Sequence, residues 1–68
     1  MKVTFVGGGN MATALIGGMI GRGFSAANIQ VIEVLPAART RLSQQFGVRC
    51  AAGAVELEAQ GDVVVMAV

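Results

Sequence analysis

The sequence predicts an α/β domain built on a parallel sheet, and three observations predict it. An apolar run at residues 3–6 passes directly into Gly7-x-Gly9-x-x-Ala12, the turn that leads from a strand into a helix whose first amides can hold a pyrophosphate. A second apolar run, residues 29–32, ends in Glu33, 21 residues after Ala12. An acidic group at that distance can accept hydrogen bonds from an adenosine ribose. Short apolar runs also alternate with helix-period segments along the chain. The result is βαβαβαβ, the order of a Rossmann-type three-layer parallel sheet.

Each element has a local reason. Residues 2–6 form an apolar strand punctuated by Gly7. Residues 10–20 form a helix, with Leu15, Met19, Ile16 and Ile20 recurring at three- and four-residue spacing toward a sheet. Gly17 and Gly18 are costly inside a helix, and close packing of that helix on its sheet is the expected reason. Gly21-Arg22-Gly23 ends it. Residues 25–28 are a loop and residues 29–33 the second strand. Pro36 suits the first position of a second helix, which runs to about Phe46 with Ala38, Leu42 and Phe46 on one face. Gly47 suits its C-terminal end.

Residues 48–50 form a brief third strand, residues 54–60 a short helix or helical turn, and residues 62–68 a fourth strand buried on both faces by composition. Right-handed crossovers then give the sheet order 3-2-1-4, one dinucleotide-binding half plus the strand across the switch point. Neither repeats nor a linker interrupt the pattern.

The bulk composition sharpens this. Sixty-eight residues make at most one small domain, and a chain of that size buries only about 60% of the surface its unfolded form exposes. Yet 54% of the residues are hydrophobic, 13% are charged and the mean hydropathy is +0.70. Strands buried on both faces give such a composition, and so does a piece of a larger protein; both are expected here.

A net charge of +1, with no basic cluster beyond Arg39 and Arg41 and no Trp or Tyr, gives no reason to expect nucleic acid as a partner. Neither a signal-peptide core nor a membrane-spanning run is visible, so no membrane partner and a cytoplasmic location are expected. The single Cys50 cannot close an internal disulfide. Without His or an acidic cluster around it, it is expected to be a small buried hydrophobe rather than a metal ligand.

The glycine motif assigns a task to each position. Gly7 lets the chain leave the strand in a tight turn, Gly9 lets a pyrophosphate approach the backbone, and Ala12 lets the helix sit against the first strand. The N–H groups of Asn10, Met11 and their neighbours face the anion, aided by the helix dipole. Asn10 can also cap the helix or donate to a phosphate. Met11 either walls the cofactor cleft or joins the core. Glu33 either meets the ribose or is a solvated carboxylate at a strand end. In the first case it favours NADH over NADPH, because it repels a 2′-phosphate. Arg39, six positions on, can swing toward that phosphate.

The phrase Phe5-Val6-Gly7-Gly8-Gly9-Asn10-Met11-Ala12 resembles the opening of the pyrroline-5-carboxylate reductases, which read Phe-Ile-Gly-x-Gly-Asn-Met-Ala. Ala14-Leu15-Ile16-Gly17-Gly18 continues the likeness, as do Phe46-Gly47-Val48 and Asp62-Val63-Val64-Val65-Met66-Ala67-Val68. The resemblance spans the whole chain but only about a quarter of a family member. It implies that residues 1–68 are the N-terminal part of an NAD(P)-binding Rossmann domain, with the C-terminal substrate and oligomerisation domain absent.

It also implies NADPH or NADH as cofactor, 1-pyrroline-5-carboxylate as the parent's substrate, L-proline as product and a homo-oligomeric parent. By the same resemblance Val6, Gly7, Gly8, Gly9, Asn10 and Met11, followed by Ala12, hold the pyrophosphate. Glu33 stands at the ribose, and Ala67 and Val68 begin the loop under the nicotinamide ribose. The family usually continues with Lys-Pro where this chain stops, and many members have Asn where this chain has Ala54. No residue here is a convincing catalytic acid or base. The alternatives are the cofactor domain of a β-hydroxyacid or prephenate-type dehydrogenase, and a nucleotide-binding module without turnover.

Overall fold

The alternation of apolar runs and glycine punctuation resolves into a sheet with helices laid along it. The structure, a computed structural model, describes residues 1–53 and 62–67. Its elements are β1 (Val3–Val6), α1 (Asn10–Gly21), β2 (Ile29–Ile32), α2 (Pro36–Phe46), β3 (Arg49–Ala51) and β4 (Val63–Met66). A 3-10 turn at Ala26–Asn28 replaces the plain loop before β2, with the Ser25 hydroxyl accepting from the Ala27 N–H. The expected helix at residues 54–60 lies outside the described residues, and so the third layer does too.

All pairings are parallel and the order is β3-β2-β1-β4, as the crossover rule requires. Phe5 stands opposite Val31 on one side and Val65 on the other. Because side chains alternate along a strand, Val3, Phe5, Ile29 and Val31 share one face. There they form the core with Ala12 and Ile16 of α1, Leu42 of α2, Val48 and Ala67. The opposite face carries a polar pair that hydrophobic patterning does not reveal: buried Gln30 donates its Nε2 to buried Thr4 at 2.8 Å, from the adjacent register position.

Four expectations shift. Ala12 and Ile16 are fully buried in α1 and Met19 and Ile20 pack partly against the core, whereas Leu15 is 43% exposed. Seating Ala12 on β1 fixes the helix rotation, and a residue one place before Ile16 then points some 100° away. The helical glycines also lack the expected sheet contact. A Cβ on Gly17 would meet the Phe46 ring of α2 at an ordinary 3.5 Å, and one on Gly18 would meet nothing within 4 Å.

β3 begins one residue late, with Val48 buried in the core just before it. β4 is shorter than expected and is not buried on both faces: Val63, Val64 and Met66 are exposed, because this strand ends the described sheet. The start of β4 is tied to β1 by Asp62, whose N–H donates to the Lys2 carbonyl and whose Oδ2 accepts from the Lys2 N–H.

α2 matches its reading closely. Pro36 takes the first turn, Leu42 is fully buried, and Gly47 closes the helix in the left-handed region at φ 73. A left-handed residue there favours glycine, which has no Cβ to clash.

Open space around Gly18 makes its cost removable. Gly18→Ala is expected to stabilise the chain by up to about 1 kcal/mol, read as a higher Tm in a thermal melt. A fall in Tm would show a packing constraint at that position.

Candidate functional site

β2 and β4 flank β1 on opposite sides, so the C-terminal end of β1 lies where the strand order reverses. Ligands of open α/β sheets bind in that crevice. Gly7 leaves β1 at φ 100 while its N–H donates to the Ile32 carbonyl at 2.8 Å. On the other flank the Ala67 N–H reaches the Val6 carbonyl at 2.9 Å, placing buried Ala67 beside the turn. Val68 lies outside the described residues.

Gly8 is the tightest point of the site. Its N–H donates to Glu33 Oε1 at 2.6 Å, and its carbonyl accepts from Arg41 Nη2 at 3.2 Å. A Cβ here would stand 2.8 Å from Leu42 Cδ1 and 3.2 Å from Glu33 Oε1. The close approach in this turn is therefore between parts of the chain itself, and it falls on Gly8, to which the motif reading gave no packing role.

Gly9 is the opposite case. It is the N-cap of α1 at φ −80, with no side-chain cap, and a Cβ would meet nothing within 4 Å. Neither its backbone angle nor its packing requires glycine. Asn10 is the first helical residue, exposed, and does not cap the helix. Among the described residues, the N–H groups of Gly9, Asn10 and Met11 have no acceptor within the chain, and no acid sits in the first turn to repel an anion. Met11 is 60% exposed, which removes it from the core.

Glu33 lies at the end of β2, half-buried, with its Oε2 accepting from the Leu35 N–H at 3.0 Å. It is therefore no freely solvated carboxylate. The N–H groups of Leu35 and then Gly8 hold its carboxyl below the ordinary value; partial burial opposes them, while the Val34 N–H and the Arg39 guanidinium add to the lowering. A carboxylate offers about four lone-pair sites, so acceptor capacity remains beside the two bonds it makes to Gly8 and Leu35.

Arg39 is not swinging free. Its Nη1 donates to the carbonyls of Glu33 and Val34 at 2.8 and 3.0 Å. Arg41, one residue before the buried Leu42, reaches the turn instead, touching Gly8 and, through Nη1, Thr13 Oγ1 at 3.1 Å. No periodic signal separates Arg41 from Arg39. Only the crossing of α1 and α2 does.

A parallel sheet with a preformed glycine turn and open helix amides at its switch point defines a dinucleotide-binding α/β domain of the Rossmann class. The chain belongs to the family described as NADP oxidoreductase coenzyme F420-dependent, whose model matches residues 2–68. That description agrees with a nicotinamide dinucleotide as cofactor. The resemblance read from the glycine motif is borne out. A pyrroline-5-carboxylate reductase of Vibrio alginolyticus is 36% identical over 98% of this chain, and one of Pseudomonas aeruginosa is 34% identical over the same share.

The structure of a pyrroline-5-carboxylate reductase from Coxiella burnetii superposes with a TM-score of 0.89 at 31% identity, covering 98% of the chain. The chain spans about a quarter of the length of these relatives, 25%, 24% and 25% in turn. Among the described residues, no helix is long and apolar enough to cross a membrane.

The lowered Glu33 pKa has a signed consequence. A carboxyl whose folded pKa lies below its unfolded value stabilises the fold above the unfolded pKa and loses that contribution as pH falls through the folded one. Glu33→Gln is expected to lower stability at neutral pH by about 1 kcal/mol, allowing for partial exposure. Below the ordinary carboxyl value of 4.5, the gap between the two proteins should close. Urea melts across that range would show it, and a gap independent of pH would remove the ionised carboxylate as its cause.

Proposed function

We propose that this chain is the cofactor-binding portion of a pyrroline-5-carboxylate reductase. On this reading residues 1–68 are the N-terminal part of its NAD(P)-binding Rossmann domain, and the C-terminal part supplies the substrate pocket. The parent transfers a hydride from NADPH or NADH to 1-pyrroline-5-carboxylate, giving L-proline. The observation that carries the cofactor half is Gly9, a glycine that the chain's own backbone and packing do not need. A requirement from outside the chain, a pyrophosphate lying against the backbone, explains it. The names of the relatives, reductases of this substrate at 34–36% identity, support the substrate half.

The residues divide the work. The N–H groups of Gly9, Asn10 and Met11 receive the pyrophosphate, while Val6, Gly7 and Gly8 set the turn and Ala12 seats the helix. Glu33 offers its remaining lone pairs to the adenosine ribose. Ala67 leads into the loop that runs under the nicotinamide ribose. The nicotinamide supplies the hydride; this chain contributes binding and orientation, with no catalytic acid or base of its own. A homo-oligomeric, cytoplasmic parent belongs to the same reading; in the 68-residue chain by itself, the exposed β4 edge with Val63, Val64 and Met66 favours self-association.

Fluorescence titration tests the cofactor half. The chain should bind NADH or NADPH, and Gly9→Ala should weaken binding at least about tenfold while leaving Tm unchanged. Equal affinity in the variant would remove the pyrophosphate from that position. In the parent, cofactor oxidation that does not depend on 1-pyrroline-5-carboxylate would remove the substrate assignment.

Glu33 also bears on cofactor choice. Glu33→Ala should lower the affinity ratio of NADH to NADPH several-fold, since it deletes both a ribose acceptor and a charge that opposes a 2′-phosphate. An unchanged ratio would confine Glu33 to bracing the turn.

A further inference from the structure

We propose that Arg41 is a positioning residue that presets the direction of the anion-binding amides, acting through the carbonyls of Gly8 and Gly9 rather than by touching the bound cofactor. This rests on the cofactor reading above. Arg41 projects from α2 to the opposite helix and divides its guanidinium between two partners: Nη2 donates to the Gly8 carbonyl at 3.2 Å and Nη1 to Thr13 Oγ1 at 3.1 Å. Thr13 in turn donates its hydroxyl proton to the Gly9 carbonyl at 3.0 Å, where its own N–H also arrives at 3.0 Å. One guanidinium therefore governs two successive peptides, the first directly and the second through a hydroxyl that accepts from Arg41 while it donates onward.

A peptide unit is planar and trans, so its C=O and N–H point in opposite directions. Holding the Gly8 carbonyl toward α2 sends the Gly9 N–H the other way. Holding the Gly9 carbonyl toward Thr13 does the same for the Asn10 N–H. These are two of the amides that have no acceptor among the described residues.

Glu33 fixes the preceding peptide from its N–H side. The Gly8 residue is thus held by an anion at its N–H and a cation at its carbonyl, with Leu42 against its Cα. Three consecutive glycines would otherwise spread over many backbone states. Fixing them when the chain folds spares that ordering cost when the dinucleotide arrives. Two of the five N–H donors of Arg41 are spent on Gly8 and Thr13, the contacts that aim the amides.

The test uses the chain with Arg41→Met, Arg41→Lys and Thr13→Val, with Tm measured for each. NADH and NADPH are titrated at low and high salt, and the Gly9 and Asn10 amides are followed by NMR without cofactor. Arg41→Met should weaken both cofactors by the same factor, roughly five- to tenfold. It should leave the salt dependence of binding unchanged and shift the Gly9 and Asn10 amides in the free chain.

Arg41→Lys should restore most of the affinity, because one donor remains. Thr13→Val should reproduce part of the loss and move the Asn10 amide more than Gly9. Wild-type affinity in Arg41→Met, or unmoved amides, overturns the proposal. So does a loss confined to NADPH or a shallower salt dependence, since either would mean Arg41 touches a phosphate. A wild-type chain that binds neither cofactor overturns the underlying cofactor reading instead.

Discussion

The hydrogen bond from the Gly8 N–H to Glu33, 2.6 Å long, is the constraint on which the rest of the site depends. It joins the end of β1 to the end of β2 beyond the point where strand pairing stops. Neither end could hold this geometry alone. A Cβ at Gly8 would force Leu42 and Glu33 to shift from the space they occupy, and Glu33 must be an acceptor because an amide faces it. The contact also couples helix to turn, since Leu42, the fully buried residue of α2, is the residue that crowds Gly8. Packing of α2 on the sheet and the shape of the turn are therefore one problem, solved by one set of atoms.

This coupling divides the tasks of the glycines differently from their spacing. Gly7 is needed for its left-handed φ, which the motif makes plain. Gly8 is needed for the chain's own close packing, although the motif leaves its position open. Gly9, by contrast, is required by no contact or backbone angle among the described residues. A spacing pattern records that glycine occurs at a position. It does not record whether the neighbour excluding a side chain belongs to the protein or to its partner.

Much of the fold was legible for a simple reason: short parallel strands are continuous apolar runs, and Gly47 and Pro36 act locally. Strand order followed from chirality. What escaped depended on how elements cross. The exposure of Leu15 reflects a helix rotation set by Ala12, and the Thr4–Gln30 pair depends on the parallel register between two strands. Gly18 looked like a packing glycine because a cost in propensity invites an explanation, yet the space beside it is open. Arg41 was invisible for the same reason as Leu15. Its role comes from the place where α2 passes α1, and one helix's periodicity says nothing about its neighbour's.

The charges around the turn follow from the same crossing. Arg39 lies near the Glu33 carboxylate and Arg41 beside the glycine turn, and each spends hydrogen bonds on backbone carbonyls: Arg39 on the exit from β2, Arg41 on Gly8. Two cations beside a phosphate-binding motif invite a reading as phosphate ligands. Both are engaged with the protein itself, Arg39 with two carbonyls and Arg41 with a carbonyl and the Thr13 hydroxyl. Glu33 meanwhile holds its charge to lower pH than an ordinary carboxyl, because the Leu35 and Gly8 amides stabilise it. The charge at the end of β2 is thus a fixed carboxylate, while the arginines act on the backbone, Arg39 through the Glu33 and Val34 carbonyls and Arg41 through that of Gly8. In this turn, electrostatics acts first on the backbone.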